Sequence, residues 1–302
     1  MCKFNEIVKR HGNVAFLFGG KQSMKLFDRQ YRFAAGDFEI GGTSPNQPAA
    51  LRISFSVQKA DTETPNTAKI SLWNLNPQQL ATLNGRDCFT VLRAGYGNHM
   101  TLVFTGTVTF IRTHMDGADR ETMMEIVDGC VPLRDTYVSL SYSGIVNARP
   151  IIDAIAAEMG VAVTYSHNAT FADFPNGFAF VGAGRVALDK ACATSGLRWQ
   201  ICNGVLQVKM ARDTMNRAAY VLSPDSGLLG IPKNIVIAAD GEGLDEEPGV
   251  EVEYLLNGAI GVSDFVRLES REIQGFFRVK WLELVGDNMQ GAWKCTARLI
   301  EA

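Results

Sequence analysis

Hydrophobic and polar residues alternate with a period of two through much of the first third of the chain. Leu51, Ile53, Phe55 and Val57 are interleaved with Arg52, Ser54, Ser56 and Gln58, the pattern of a strand buried on one face. Ala68, Ile70 and Leu72 repeat it after the turn residues Thr64-Pro65-Asn66. Leu102, Phe104, Val108 and Phe110 repeat it again, with Gly106 marking a bulge or a close backbone approach. Between these strands, Asn76-Pro77-Gln78-Gln79-Leu80 reads as a capped helical turn, because Asn caps well and Pro suits the first helical position. Short strands with turns between them, from about Tyr31 to Arg134, predict a barrel or sandwich.

The period changes after Asp135. Ile151, Ile152, Ile155, Ala156 and Met159 share one face of a helix that Gly160 ends. A second helix runs from about Arg185 to Ser195, with Gly196 after it. It leads into two alternating runs, residues 197–202 and 205–208, joined by Asn203-Gly204. That dipeptide is a strong hairpin signal, since both positions of the tight turn need positive φ. From about Tyr220 the strand patterns return, at 235–237, 252–256, 265–268, 276–284 and 293–299. The expected fold is mainly β with an α+β insert: two small β-barrel domains flanking an α+β domain. The expected boundaries are an N-terminal arm or extension (1–24), a first β-barrel domain (25–135), the insert (136–215) and a second β-barrel domain (216–302). Met24 would itself make a sensible start, so the sequence admits Met1 or Met24 as the first residue.

Composition narrows the class. At 46% hydrophobic and 20% charged over 302 residues, the chain is built for a folded core and about two domains rather than for disorder. The balance of 29 basic against 32 acidic residues gives −3, with no basic excess for gripping nucleic acid or a membrane surface. No apolar run reaches the roughly 18 residues of a membrane span. Residues 14–18 are shorter than a signal-peptide core, so no membrane anchor and no secretion are expected. Cys2, Cys88, Cys130, Cys192, Cys202 and Cys295 are scattered without a C-x-x-C pair and read as small buried side chains.

Catalytic and ligand-binding signals fail one by one. Gly182-Ala183-Gly184-Arg185-Val186-Ala187 matches G-x-G-x-x-A and opens a helix, yet no acidic residue lies near Gly204, where a ribose would need one. His11, His99, His114 and His167 have no zinc spacing, and no G-x-S-x-G elbow exists. The acidic stretch Asp240 to Gly249 offers carboxylates to a cation but lacks the order of a calcium loop, and reads as a solvated loop. Asn168-Ala169-Thr170 fits a glycosylation acceptor, but with no secretion expected it reads as a chance match. Trp73, Trp199, Trp281 and Trp293 lie in strand patterns and read as core or interface anchors. No catalytic, cofactor-binding or metal residue is therefore assigned, and no cofactor is expected.

Several stretches taken in order resemble the hub proteins of phage tail baseplates, the superfamily of late-control D proteins and the N-terminal part of type VI secretion spike proteins. They are residues 53–59 (ISFSVQK), 66–75 (NTAKISLWNL), 94–97 (AGYG) and 103–106 (VFTG). They continue with 223–232 (SPDSGLLGIP), Gly249-Val250, Leu255-Leu256-Asn257, 275–279 (GFFRV), Gly286-Asp287 and Trp293. The resemblance spans about Lys25 to Leu299 and departs at the N-terminal arm and at Leu284, where a more polar residue is expected. It implies a homotrimeric structural hub in the virion tail, assembled in the host cytoplasm. Its implied partners are the tail tube protein, a separate central spike protein and other baseplate or tape-measure proteins, with DNA passing through the pore without specific binding. The rival readings are a cell-wall or glycan hydrolase, which needs a carboxylate pair about 5–9.5 Å apart, and a carbohydrate-binding module.

Overall fold

The computed structural model describes residues 28–42, 51–237 and 246–302. The expected N-terminal arm, the choice of start, and Asp240 to Asp245 of the acidic stretch lie outside the described residues. The first part of the chain forms β1 (Arg29–Ala35), β2 (Phe38–Gly41), β3 (Ile53–Ala60), β4 (Thr67–Trp73), α1 (Pro77–Leu83), β5 (Phe89–Tyr96), β6 (His99–Asp116) and β7 (Asp119–Val127). The middle forms α2 (Cys130–Asp135), β8 (Tyr137–Tyr142), β9 (Val146–Asn147), α3 (Ala148–Met159), β10 (Ala162–Tyr165), β11 (Asp173–Phe174), β12 (Phe178–Ala183), α4 (Gly184–Ala193), β13 (Leu197–Cys202) and β14 (Val205–Met210). The last part forms β15 (Tyr220–Leu222), β16 (Leu228–Ile237), β17 (Glu247–Leu255), β18 (Phe265–Glu269), β19 (Gln274–Asp287) and β20 (Trp293–Glu301). Among the described residues no helix is long and apolar enough to cross a membrane.

The molecule is mainly β, and its two strand-rich ends join. The main sheet runs β16-β17-β20-β19-β3-β4-β7-β6-β5-β1-β2, with β18 on β19 and β15 on β18. The ends were expected as two separate closed barrels. Instead β3 pairs antiparallel with β19, Phe55 opposite Gly286 and Val57 opposite Leu284, and the described hydrogen bonding leaves the sheet open. Sequence periodicity finds strands but not their neighbours, which is why this seam was not foreseen. One apolar core follows it, holding Phe33, Phe55, Ile70, Phe104, Tyr254, Leu284 and Trp293 from both ends of the chain.

Local chemistry explains the elements. In β3, Ile53, Phe55 and Val57 are buried while Ser54 and Ser56 are half-exposed, as alternation predicts. The helix at 76–80 is α1, with Asn76 Oδ1 accepting the Gln79 N–H and Gln79 Oε1 accepting the Asn76 N–H. Replacing Asn76 by Ala should cost about 1 kcal/mol in a urea titration, with the strands unaffected.

The β6 prediction needs correction. Phe104 is buried, but Phe110 is 47% exposed, and Val103 and Thr105 are buried instead of half-solvated. Register shifts between Leu92 and Arg93 and between Val108 and Phe110 break the alternation, and β5 pairs β6 only as far as Thr107. Among the described residues the far half of β6 pairs with β7 alone. Gly106 is a close approach rather than the bulge: a Cβ there would lie 2.6 Å from the Val127 carbonyl oxygen.

The middle segment has its own apolar core of Val138, Ile151, Ile152, Ile155, Leu188, Leu206 and Val208, sharing no member with the main one. The predicted apolar face of α3 is the buried one; the helix starts two residues earlier than Pro150, capped by Asn147 Oδ1 on the Arg149 N–H. β13 and β14 form the predicted hairpin, with Asn203 and Gly204 at φ +52° and +75°. β10 joins β14 in parallel, while β8 and β12 make a separate antiparallel ribbon.

Candidate functional site

The alternation of β3 does not stop at its apolar residues. Lys59 occupies the next inward position after Val57 and is buried. Its ammonium donates to Asn203 Oδ1 at 3.2 Å, in the turn between β13 and β14. The same turn is held by Asp128, at the end of β7, which accepts the N–H groups of Asn203 and of Gly204, the latter at 2.9 Å. Asn66 completes the socket. Its Nδ2 donates to the Ile201 carbonyl at 3.2 Å, its Oδ1 accepts the Ala60 N–H, and its carbonyl accepts the Asp128 N–H.

Beside this socket lies a buried ion cluster. Asp61, just past β3, contacts Arg278 of β19 and lies 2.7 Å from Lys209 Nζ of β14. Lys209 acts on Asp61 chiefly through charge. Three parts of the chain, far apart in sequence, are thus tied by polar groups out of water. A buried charge is tolerated only when paired.

Electrostatics follow from this burial. Burial alone would push the Asp61 carboxyl up, but Lys209, Arg278 and Lys280 outweigh it and hold it below the usual range. Burial pulls the Lys209 ammonium down to about 8 against the pull of Asp61. Asp128 is pushed up to about 7 by burial, opposed by the Gly204 N–H, Lys59 and the Asn203 N–H. Asp264, just before β18, is likewise pushed up to about 7 by burial, against the Gly261 N–H and Lys59.

These shifts set the pH dependence of stability. An Asp raised in the folded state contributes most below its unfolded value, about 3.9, and that contribution is lost as pH rises through 7. The depressed Lys209 works the other way: its contribution is full above about 10.4 and is lost as pH falls through 8. The lowered Asp61 loses its contribution only in acid, as pH falls below about 4. The urea midpoint should therefore fall between roughly pH 5.5 and 7.5 as the two raised carboxyls lose their contribution, and the buried thiols, pushed up to about 11 or 12, oppose the recovery that Lys209 would bring above pH 8. A midpoint that climbs steadily from pH 5.5 to 7.5 would contradict this assignment.

The sequence candidates fall elsewhere. Gly184 is a close approach, a Cβ there lying 2.9 Å from Thr136 Cγ2, and Gly182 has φ +155°, a conformation side chains rarely adopt. The preceding strand, β12, is antiparallel to β8 rather than part of a parallel β-α-β unit. His114 lies 3.4 Å from Glu121, His167 2.6 Å from Arg217, and His99 starts β6. Among the described residues no group of three His, Cys, Asp or Glu side chains is placed to hold a metal. Glu247 of the acidic stretch pairs with Arg212 at 3.2 Å. Asn168 donates to Asp213. Trp73 and Trp293 are buried, Trp199 and Trp281 half-buried, with Arg52 over Trp73 and Arg298 over Trp281. Asp128 and Asp264, the carboxyls raised furthest toward neutrality, are enclosed and occupied by backbone N–H groups, an arrangement that anchors chain rather than meets a substrate.

No protein-family model matches the sequence, and none of the curated proteins matches it. Solved structures do. The 43 kDa tail protein of prophage MuSo2 from Shewanella oneidensis superposes with a TM-score of 0.60, over 91% of this chain and 98% of its own, at 8% identity. The fold is shared with phage tail proteins. A tail protein from Neisseria meningitidis MC58 gives 0.57 over 91% of this chain and 97% of its own, at 12% identity. The E. coli c3393 protein, a type VI secretion component described as similar to the T4 tail proteins gp27 and gp5, gives 0.55 over 83% and 73%, at 7% identity. At such identities the likeness is one of fold.

Proposed function

We propose that the chain is a non-enzymatic structural subunit of a phage tail, the hub of its baseplate. What supports this most is the extent of the likeness: tail proteins of 8% and 12% identity match over 98% and 97% of their own length, so the middle segment and both strand-rich ends correspond together. Residues 25–135 and 216–302 each supply a curved β-module, and residues 136–215 form the insert between them.

Three copies close head-to-tail into a ring, the arrangement that repeated heterologous contacts produce when the rotation closes. Two β-modules per chain give six around the axis, which meets a six-fold tail tube on one side and a three-fold spike protein on the other. Once the spike leaves, the ring is a channel. A chain with a net charge of −3 suits a conduit through which DNA slides without being held. The hub works in the virion tail after assembly in the host cytoplasm, beside other baseplate or tape-measure proteins.

The test is assembly. Light scattering of the purified chain should give three times the chain mass, and negative-stain images should show three-fold rings that cap tube protein. A chain that stays monomeric at high concentration and joins neither tube nor spike protein defeats the proposal.

A further inference from the structure

The middle segment is fastened to the β body by polar groups, not by a shared apolar core. Its core and the main core have no residue in common. Between them lie the Asp128, Lys59 and Asn66 socket around the Asn203-Gly204 turn, and the Asp61 cluster that receives Lys209. An exposed pair, Arg134 with Asp87 at 3.0 Å, adds a surface tie.

The two connecting strands of chain are suited to pivoting. On the entry side Gly129 has φ +64° and sits against Ile201, where a side chain would not fit. On the exit side, hydrogen bonding changes hands within three residues. Asp213 is bonded to the insert, by Ser166 Oγ at 2.6 Å and through its own N–H to the Met210 carbonyl. Met215 donates to the Ser263 carbonyl and Asn216 Oδ1 accepts the Phe265 N–H at 2.6 Å, both in the body.

We propose that residues 130–213 are a latched body: the insert swings out of its socket as a folded unit about Gly129 and Thr214, while both apolar cores stay intact. Apolar burial resists opening in proportion to the area exposed, whereas a polar latch exchanges its hydrogen bonds for bonds to water with a small net loss. Opening below the global unfolding limit is the expected behaviour of a unit joined in this way. The inference concerns the single chain and stands or falls apart from the ring.

The molecule carries its own reporters. Cys202 lies at the hairpin tip, belongs to neither core, and faces Lys59, Asp128 and Asp264 across the junction. Cys192 is in the insert core and Cys295 in the main core. With N-ethylmaleimide and peptide-resolved mass spectrometry on the full chain, Cys202 should be modified at least about tenfold faster than Cys192 or Cys295. Asp128→Ala, which removes the acceptor of two N–H groups, and separately Lys59→Met, which removes one donor, should each raise the Cys202 rate by a further factor of about ten or more and leave the other two rates unchanged. Lys59→Met keeps the apolar stem and guards against a misfolded Asp128 variant. Equal rates at the three thiols of the wild-type chain, or variants that accelerate all three together, would mean that the insert leaves only by global unfolding, and the proposal fails.

Discussion

Asp61→Ala should destabilise the protein by about 3–5 kcal/mol at pH 7, the cost of leaving buried charge without its partner. Among the described residues, Asp61 is the acid ion-paired with two cations that are themselves out of water, with side-chain exposures of 2% for Lys209 and 4% for Arg278. Removing it strands both. The loss should shrink above pH 8, because Lys209, already pulled down to about 8 by burial with Asp61 present, sheds its proton more easily once the acid is gone. Lys209→Met tells the opposite story. It leaves Asp61 paired one-to-one with Arg278, so the change should stay within about 1 kcal/mol, since a buried ion replaced by an apolar side chain of similar length is often neutral. Denaturant titrations of both variants at pH 7 and pH 9.5 check the pair. Equal losses for Asp61→Ala and Lys209→Met would show that packing, not charge, holds this point.

Gly286→Ala should cost about 2–4 kcal/mol by overpacking the seam between the two ends of the chain. Gly286 faces Phe55 across β19 and β3, and the Phe55 and Trp293 rings meet edge-on at 5.5 Å between centroids. A Cβ at this position would run into the Phe55 ring and come within 2.8 Å of Trp293 Cε3. Neither ring has room to retreat, as Phe55 is 2% and Trp293 4% exposed. Gly286→Ala combined with Phe55→Leu should recover part of the loss, whereas additive losses would place the strain elsewhere.

Much of this architecture is legible in the chain because it rests on local rules. Alternation at 53–57, the Asn76 cap, the apolar face of the helix at 151–159 and the Asn203-Gly204 turn each need only neighbours a few residues away. What escaped rests on distant partners. Nothing near Gly286 in sequence says that Phe55 will cover it. The register shifts of β6 depend on two partner strands at once, so Phe110 faces outward where simple alternation turned it in. The junction was half visible: Lys59 continues the inward series of Ile53, Phe55 and Val57, and a charge on a buried face asks for a partner. Its partners, Asn203 and the neighbouring Asp128, are named only by the fold. The resemblance to tail hubs supplied the class of architecture, while the placement of the middle segment on Asp128 and Asp61 came from geometry alone.

The seam between β3 and β19 also sets an order of events during synthesis. Ser56 bonds Glu283, a partner 227 residues later in the chain. When the first third leaves the ribosome, the edge of β3 that will receive β19 has no neighbour, while the middle segment closes on contacts within its own 80 or so residues and can fold on emergence. β19 must therefore have been made before the largest sheet can join, and until then an unpaired strand edge is exposed to any nascent copy on the same message.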